Sequence, residues 1–350
     1  MLVKEFKKPV SGESVLIGPD VKDDIVIMAL ESSCDETACA IVKNGREVLA
    51  NVVASQIKTH QKFGGVVPEV AAREHLDAVN LIIEEAFSQS GLSPDDITAF
   101  AATVGPGLVG SLLVGLNAAK ALAITYDKPF IGVNHLNAHV CANYIDTDLK
   151  PPMIALLVSG GHTQIIKVDD YLNQQIIGET IDDATGEAYD KVARLLGLPY
   201  PGGLNLDRMA PNGNPNAYKL PEAKVQGEFD FSFSGLKTAV LNLTRKLEKE
   251  LGEIPKEDVA ASFQECITST LFKKTLKAAQ KYNIKQIVLG GGVAANSEIR
   301  KKFFSLEDKG YKIFAPAMKY CTDNASMIAS SAYFLANTMD SLEQEVFSRC

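Results

Sequence analysis

The six cysteines at positions 34, 39, 141, 266, 321 and 350 include no C-x-x-C and show no pairing logic. That excludes a disulfide scaffold and a paired-cysteine zinc site, and it suits reduced thiols in a cytoplasmic enzyme. No G-x-x-x-x-G-K-[ST] occurs, so P-loop chemistry is excluded. No histidine is followed by glutamate, so the H-E-x-x-H of a zinc peptidase is missing as well. The first 24 residues hold no arginine and no apolar core, which excludes a signal peptide and a typical transit peptide. There is no basic excess: a net charge of −8 and a pI near 5.3 argue against nonspecific nucleic-acid binding over a whole surface, while leaving local basic patches open. Residues 97–119 carry no charge over a membrane-spanning length, yet Gly105-Pro106-Gly107 breaks the run into a strand, a tight turn and a helix capped near Ser111. This is a soluble βα unit.

With 350 residues, 46% of them hydrophobic, the chain exceeds the size at which one core keeps growing, so two lobes are expected. His135 and His139 follow an apolar strand ending at Val133, with Asn134 as helix cap, and i,i+4 spacing puts both imidazoles on one face. Metal binding and a pair of hydrogen-bonded core histidines both satisfy that pattern. Two distant segments share one plan. Residues 25–42 run strand, turn (Glu31 to Thr37) and strand; residues 153–168 repeat it around Ser159-Gly160-Gly161-His162-Thr163, and an internal duplication is the economical reading. Small residues at these tips let backbone N–H groups approach a phosphate, although an ordinary hairpin needs the same residues. A third glycine cluster, Gly290-Gly291-Gly292, follows a short strand and precedes a helix; its spacing is not G-x-G-x-x-G, but its open backbone suits the edge of a nucleotide.

Eight motifs then occur in an order that carries a family resemblance. They are Glu31-Ser32-Ser33-Cys34-Asp35-Glu36-Thr37, His135-Leu136-Asn137-Ala138-His139, Val158-Ser159-Gly160-Gly161-His162-Thr163, Asp182-Asp183-Ala184-Thr185-Gly186-Glu187-Ala188-Tyr189-Asp190-Lys191, Tyr200-Pro201-Gly202-Gly203, Phe231-Ser232-Phe233-Ser234-Gly235-Leu236-Lys237, Gly290-Gly291-Gly292-Val293-Ala294-Ala295-Asn296 and Cys321-Thr322-Asp323-Asn324. Over about residues 25–335 the chain resembles the TsaD family of tRNA threonylcarbamoyltransferases, once described as glycoproteases. The resemblance implies an α/β fold of the actin, Hsp70 and sugar-kinase (ASKHA) type, with duplicated RNase H-like lobes around a nucleotide cleft. Residues 1–24 are then an N-terminal extension, 25–150 the N-terminal lobe and 151–322 the C-terminal lobe, with a helix over about 323–345 packing back at the lobe interface. It also implies a metal, usually iron, held by His135, His139 and Asp323, and an adenylate site at Leu157, Val158, Ser159, Gly160, Gly161, Asp190, Gly203, Asp207 and Asn296. Glu36 becomes a cleft residue with a catalytic role.

The implied reaction moves threonylcarbamoyl from threonylcarbamoyl-AMP to N6 of the adenosine 3′ of the anticodon in tRNAs reading codons that start with A, releasing AMP. A sugar kinase or chaperone-like ATPase is the alternative on the same fold, though Mg²⁺ and carboxylates serve that chemistry with little need for imidazole. A metallopeptidase is third, and Leu136 stands where its general base belongs. Two imidazoles and a carboxylate accept Fe²⁺, Zn²⁺ or Mn²⁺. Asp190 also fits a solvated helix face, and Asp207 also fits a helix cap. Cations for tRNA gather at Lys237, Arg245, Lys246 and Lys249 and at Arg300, Lys301 and Lys302. Bacterial relatives work with a paralogous dimerisation subunit, TsaB, and a small ATPase, TsaE; mitochondrial ones act as homodimers. The acidic composition and arginine-free N-terminus point to the bacterial arrangement, cytoplasmic and off the membrane, with a homodimer open to the isolated chain.

Overall fold

The computed structural model describes residues 2–334, 338–339 and 342–348. The chain forms two compact units, the first made of Met1–Pro151, Asp170–Asn173 and Pro316–Cys350, the second of Pro152–Asp169 and Gln174–Ala315.

In the first unit, β1 (Lys4–Lys7) and β2 (Ser14–Ile17) make a separate antiparallel hairpin that buries Phe6 and Ile17. The main sheet contains β3 (Val26–Glu31), β4 (Glu36–Lys43), β5 (Glu47–Ser55), β6 (Ala99–Gly105), β7 (Phe130–Asn134) and β13 (Thr338–Met339), in the order β13-β7-β6-β3-β4-β5. Pairing is antiparallel from β3 through β5 and parallel from β3 through β7. Helices α1 (Ile57–Gln61) and α2 (Pro68–Ser90) join β5 to β6, and α3 (Val109–Thr125) joins β6 to β7. α4 (His135–Cys141) and α10 (Ala325–Phe334) complete the unit. β3, β4 and β6 are buried almost end to end, as strands covered on both faces are, and α2, α3 and α10 pack against them.

The second unit repeats the topology. β8 (Met153–Val158), β9 (Thr163–Val168), β10 (Gln174–Glu179), β11 (Gln286–Gly290) and β12 (Lys312–Phe314) order as β10-β9-β8-β11-β12, matching β5-β4-β3-β6-β7 strand for strand. Its helices are α5 (Thr185–Leu195), α6 (Gly202–Met209), α7 (Ser234–Leu251), α8 (Lys256–Lys281) and α9 (Ser297–Phe304), closed on a core that includes Tyr189, Phe231, Phe233 and Phe263.

Three sequence expectations change. The apolar run at 97–119 divides into β6 and α3, but α3 begins at Val109, so Ser111 lies inside its first turn and Leu108 holds the cap position. The helix expected over about 323–345 covers Ala325–Phe334; Thr338–Met339 instead extend the sheet beside β7, and Leu342, Val346 and Phe347 pack on the first unit's core. Residues 335–337 and 340–341 of that expectation lie outside the described residues. The chain passes to the first unit at Pro316 rather than after 322. Among the described residues no helix is long and apolar enough to cross a membrane, and cysteines 34, 39, 141, 266 and 321 are free.

Candidate functional site

β7 runs straight into α4, and the Asn134 side chain accepts from the N–H groups of Leu136 (2.9 Å) and Asn137 (3.2 Å), so the helix starts where the strand stops. His135 and His139 therefore occupy successive turns of one face, ring centroids 4.7 Å apart and planes nearly perpendicular. Asp323 arrives from the segment before α10, whose first turn is capped by Asn324 accepting from Met327 N–H. Its Oδ1 lies 3.1 Å from His139 Nε2 and 3.5 Å from His135 Nε2. Apart from this contact between Nε2 and Asp323, both His139 ring nitrogens, in a side chain 1% exposed, lack a hydrogen-bond partner. An unpartnered buried imidazole is costly. A metal on Nε2 would satisfy that nitrogen, and two imidazoles with one carboxylate form a donor set that suits a divalent transition metal. The residues fit the group that the family resemblance implies.

Sequence reasoning passed over Glu31, the acid that orients this set. It ends an apolar strand, is 1% exposed, and places Oε2 3.0 Å from His135 Nδ1. Oε2 also accepts from Thr103 Oγ1 (2.6 Å), and Oε1 accepts from the Ser33 N–H (2.5 Å). A carboxylate behind the ligating imidazole fixes its tautomer and leaves Nε2 free for a metal. Burial lowers the proton affinity of His135, but the charges of Glu31 and Asp323 outweigh it and raise its pKa to about 9. Burial raises Asp323, and the neighbouring histidines more than reverse this, holding it at about 2. Glu36 opens β4 and is 9% exposed; burial, then Asp323 and Asp35, push it up to about 10. The hairpin bearing Asp35 and Glu36 is pinned from α2: fully buried His75 meets the Cys34 carbonyl at Nε2 (3.0 Å) and Thr37 Oγ1 at Nδ1 (2.7 Å). His60 is likewise buried, against Gln56 (3.1 Å).

The other expected residues all lie in the second unit. Leu157 and Val158 end β8 as buried core, while Ser159-Gly160-Gly161 form the exposed turn before β9. A Cβ on Gly160 or Gly161 meets nothing within 4 Å, so open space adjoins this backbone. Asp190, Asp207 and Asn296 are each engaged at a helix start. Asp190 Oδ1 accepts from Gly202 N–H (2.8 Å) and Gly203 N–H (3.3 Å) at the head of α6. Asp207 accepts from Ser297 N–H (3.1 Å) and Ser297 Oγ (2.9 Å) at the head of α9. Asn296 caps α9 through Oδ1, and its Nδ2 donates to Gln264 (3.0 Å) and Tyr189 OH (3.3 Å). Next to Ser297, Glu298, Gln264 and Lys301 lies a cleft of about 520 Å³.

Gly105-Pro106-Gly107-Leu108-Val109-Gly110, between β6 and α3, does match G-x-G-x-x-G. Its glycines serve packing instead: a Cβ would meet Phe347 at residue 105, Ser33 at 107 and Ala72 at 110. Of the cations proposed for tRNA, Lys302 is paired with Glu265 (2.9 Å), Lys301 with Glu298 (3.4 Å) and Lys246 with Glu250 (3.9 Å). Lys237, Arg245 and Lys249 on α7 form no ion pair among the described residues.

A family model described as TsaD, tRNA N6-adenosine threonylcarbamoyltransferase, matches residues 47–330. The Clostridium perfringens tRNA N6-adenosine threonylcarbamoyltransferase is 53% identical over 315 residues, covering 89% of this chain and 93% of its own. The Gloeothece citriformis protein of the same name is 54% identical over 314 residues, covering 87% and 90%. Among solved structures, HypF from T. kodakarensis matches with a TM-score of 0.64 at 16% identity, over 93% of this chain and 51% of that one. Full-length HypF in its phosphate- and nucleotide-bound form gives 0.61 at 14%, over 95% and 50%. At such identities the likeness is one of fold, the actin/Hsp70/sugar-kinase type. The family model spans most of the chain and relatives exceed half identity along nearly all of it, so the chain belongs to the TsaD family of tRNA N6-adenosine threonylcarbamoyltransferases.

Proposed function

We propose that this chain transfers the threonylcarbamoyl group of threonylcarbamoyl-AMP to N6 of the adenosine 3′ of the anticodon in tRNAs that read codons starting with A, releasing AMP. The observation that carries the reading, within this family, is the convergence of His135, His139 and Asp323 on one point with His139 otherwise unpartnered. A kinase or ATPase has little use for such a cluster, and a peptidase would need a base where Leu136 stands. When bound there, Fe²⁺, Zn²⁺ or Mn²⁺ supplies a Lewis acid that withdraws charge from a phosphate or carbonyl oxygen. The chain's own residues prepare for it. Glu31 keeps the His135 proton on Nδ1, and Asp323 contributes the one negative ligand. Glu36, which burial and then Asp323 and Asp35 push up to about 10, suits hydrogen-bond donation to the acyl group.

For the adenylate we assign the open turn Ser159-Gly160-Gly161 after Leu157 and Val158, where the backbone is free to approach a phosphate. Asp190, Gly203, Asp207 and Asn296 then shape the site by setting the starts of α6 and α9. Lys237, Arg245 and Lys249 are the cations we assign to tRNA phosphates. A paralogous TsaB subunit is supported by exposed Leu76, Val109 and Leu113 on neighbouring α2 and α3, and a small TsaE-type ATPase completes a cytoplasmic assembly. The test is nucleoside mass spectrometry of tRNA treated with this chain, threonylcarbamoyl-AMP and candidate partners. Threonylcarbamoyladenosine at the position 3′ of the anticodon is the expected product; unmodified tRNA with every partner present refutes the reading.

A further inference from the structure

At the end of β3, Glu31 and Ser33 both reach His135 Nδ1, at 3.0 and 3.2 Å. Ser32, between them, turns away and is 2% exposed. Its hydroxyl donates to the Ser111 carbonyl (2.8 Å) and accepts from the Gly115 N–H (3.1 Å). Those two groups are four residues apart in α3, the pair that an uninterrupted helix bonds to each other. The hydroxyl thus bonds both backbone groups of one turn on the buried face of α3. Gly115 permits the approach, since a Cβ there would lie 2.5 Å from Ser32 Oγ.

We propose that Ser32 is a positioning residue of the metal centre. By locking its own backbone to α3, it sets how its two neighbours hold His135 Nδ1, and so the direction in which the Nε2 lone pair points. The inference rests on the reading that His135, His139 and Asp323 hold a metal. A purely structural role is separable from this one because the helix can repair itself: without the hydroxyl, the Ser111 carbonyl and Gly115 N–H can close on each other. The fold then loses little, while the 31–33 segment loses its anchor.

Co²⁺ alone is the probe, titrated into the full metal-free chain, with affinity and the d–d absorption band as readouts and thermal unfolding of the metal-free protein beside them. Ser32→Ala is expected to weaken Co²⁺ binding about tenfold, the low end for residues behind a ligand, and to shift the band while the melting temperature stays put. Gly115→Ala, which favours the helix but displaces the hydroxyl, is expected to do the same in the native background and to add nothing to Ser32→Ala. Native affinity and spectrum in either single variant overturn the proposal, as does an equal extra loss from Gly115→Ala in both backgrounds. If the native chain binds no Co²⁺, the metal reading falls and takes this inference with it; loss confined to the variants leaves that reading standing.

Discussion

Replacing Glu31 with Gln preserves shape and removes one buried charge where the metal centre meets the sheet. The native carboxylate serves the Ser33 N–H, the Thr103 hydroxyl and His135 Nδ1, at 2.5, 2.6 and 3.0 Å. Burial alone would depress His135, and it is the charges of Glu31 and Asp323 that bring it from 6.5 up to about 9. A group whose pKa is raised by folding contributes stability that is complete below the unfolded value, here 6.5, and lost as pH rises through the folded one. A rise from 6.5 to about 9 corresponds to on the order of 3 kcal/mol. Glu31, the stronger of the two acids acting on His135, contributes more of it than Asp323 does. Urea unfolding of the metal-free native and Glu31→Gln proteins, in chelator from pH 6.5 to 9.5, reads the difference directly. The native advantage is expected to be largest at pH 6.5 and to shrink toward pH 9.5, leaving a constant remainder from the Ser33 and Thr103 bonds. A difference that does not change with pH refutes the assignment of Glu31 as the acid that charges His135.

Three more outcomes are expected. His135→Ala or Asp323→Ala abolishes both stoichiometric metal, by elemental analysis, and transfer activity, while circular dichroism stays native because the ligands border a site rather than fill a core. Gly160→Val, whose new side chain meets open space in the free protein, weakens adenylate binding at least tenfold, about 1.4 kcal/mol, in a calorimetric titration; Gly291→Val is a poor substitute, because its Cβ would lie 2.3 Å from the Val158 carbonyl at a φ of +87°. Burial holds the His75 pKa below 6.5, so its contribution is present above pH 6.5 and lost as pH falls below it, and His75→Gln, which keeps a donor for the Cys34 carbonyl, makes the stability curve flatter on the acid side by urea unfolding.

How far the site could be read in advance depended on how far each residue sits from its partner along the chain. His135 and His139 were legible because both stand on one short helix whose cap, Asn134, is adjacent, so local periodicity alone makes them neighbours. The strand–turn–strand repeat was legible for the same reason, and the matching order of the two sheets follows from it. Asp323 came only from the family resemblance, since nothing local draws an exposed-looking turn aspartate toward α4. Asp207 shows the converse: a helical acid reads equally well as a ligand or a cap, and the helix it caps begins 90 residues later at Ser297. The over-long helix at 323–345 has the same origin, because Leu342, Val346 and Phe347 continue an apolar pattern whose target is the first unit's core rather than a helical neighbour. Glu31 is the instructive case. An acid closing an otherwise apolar strand costs too much to bury unless cations or donors meet it, so its position in Ile27-Met28-Ala29-Leu30-Glu31 already demanded partners, although the sequence could not say that they would be Thr103 and the imidazole of His135.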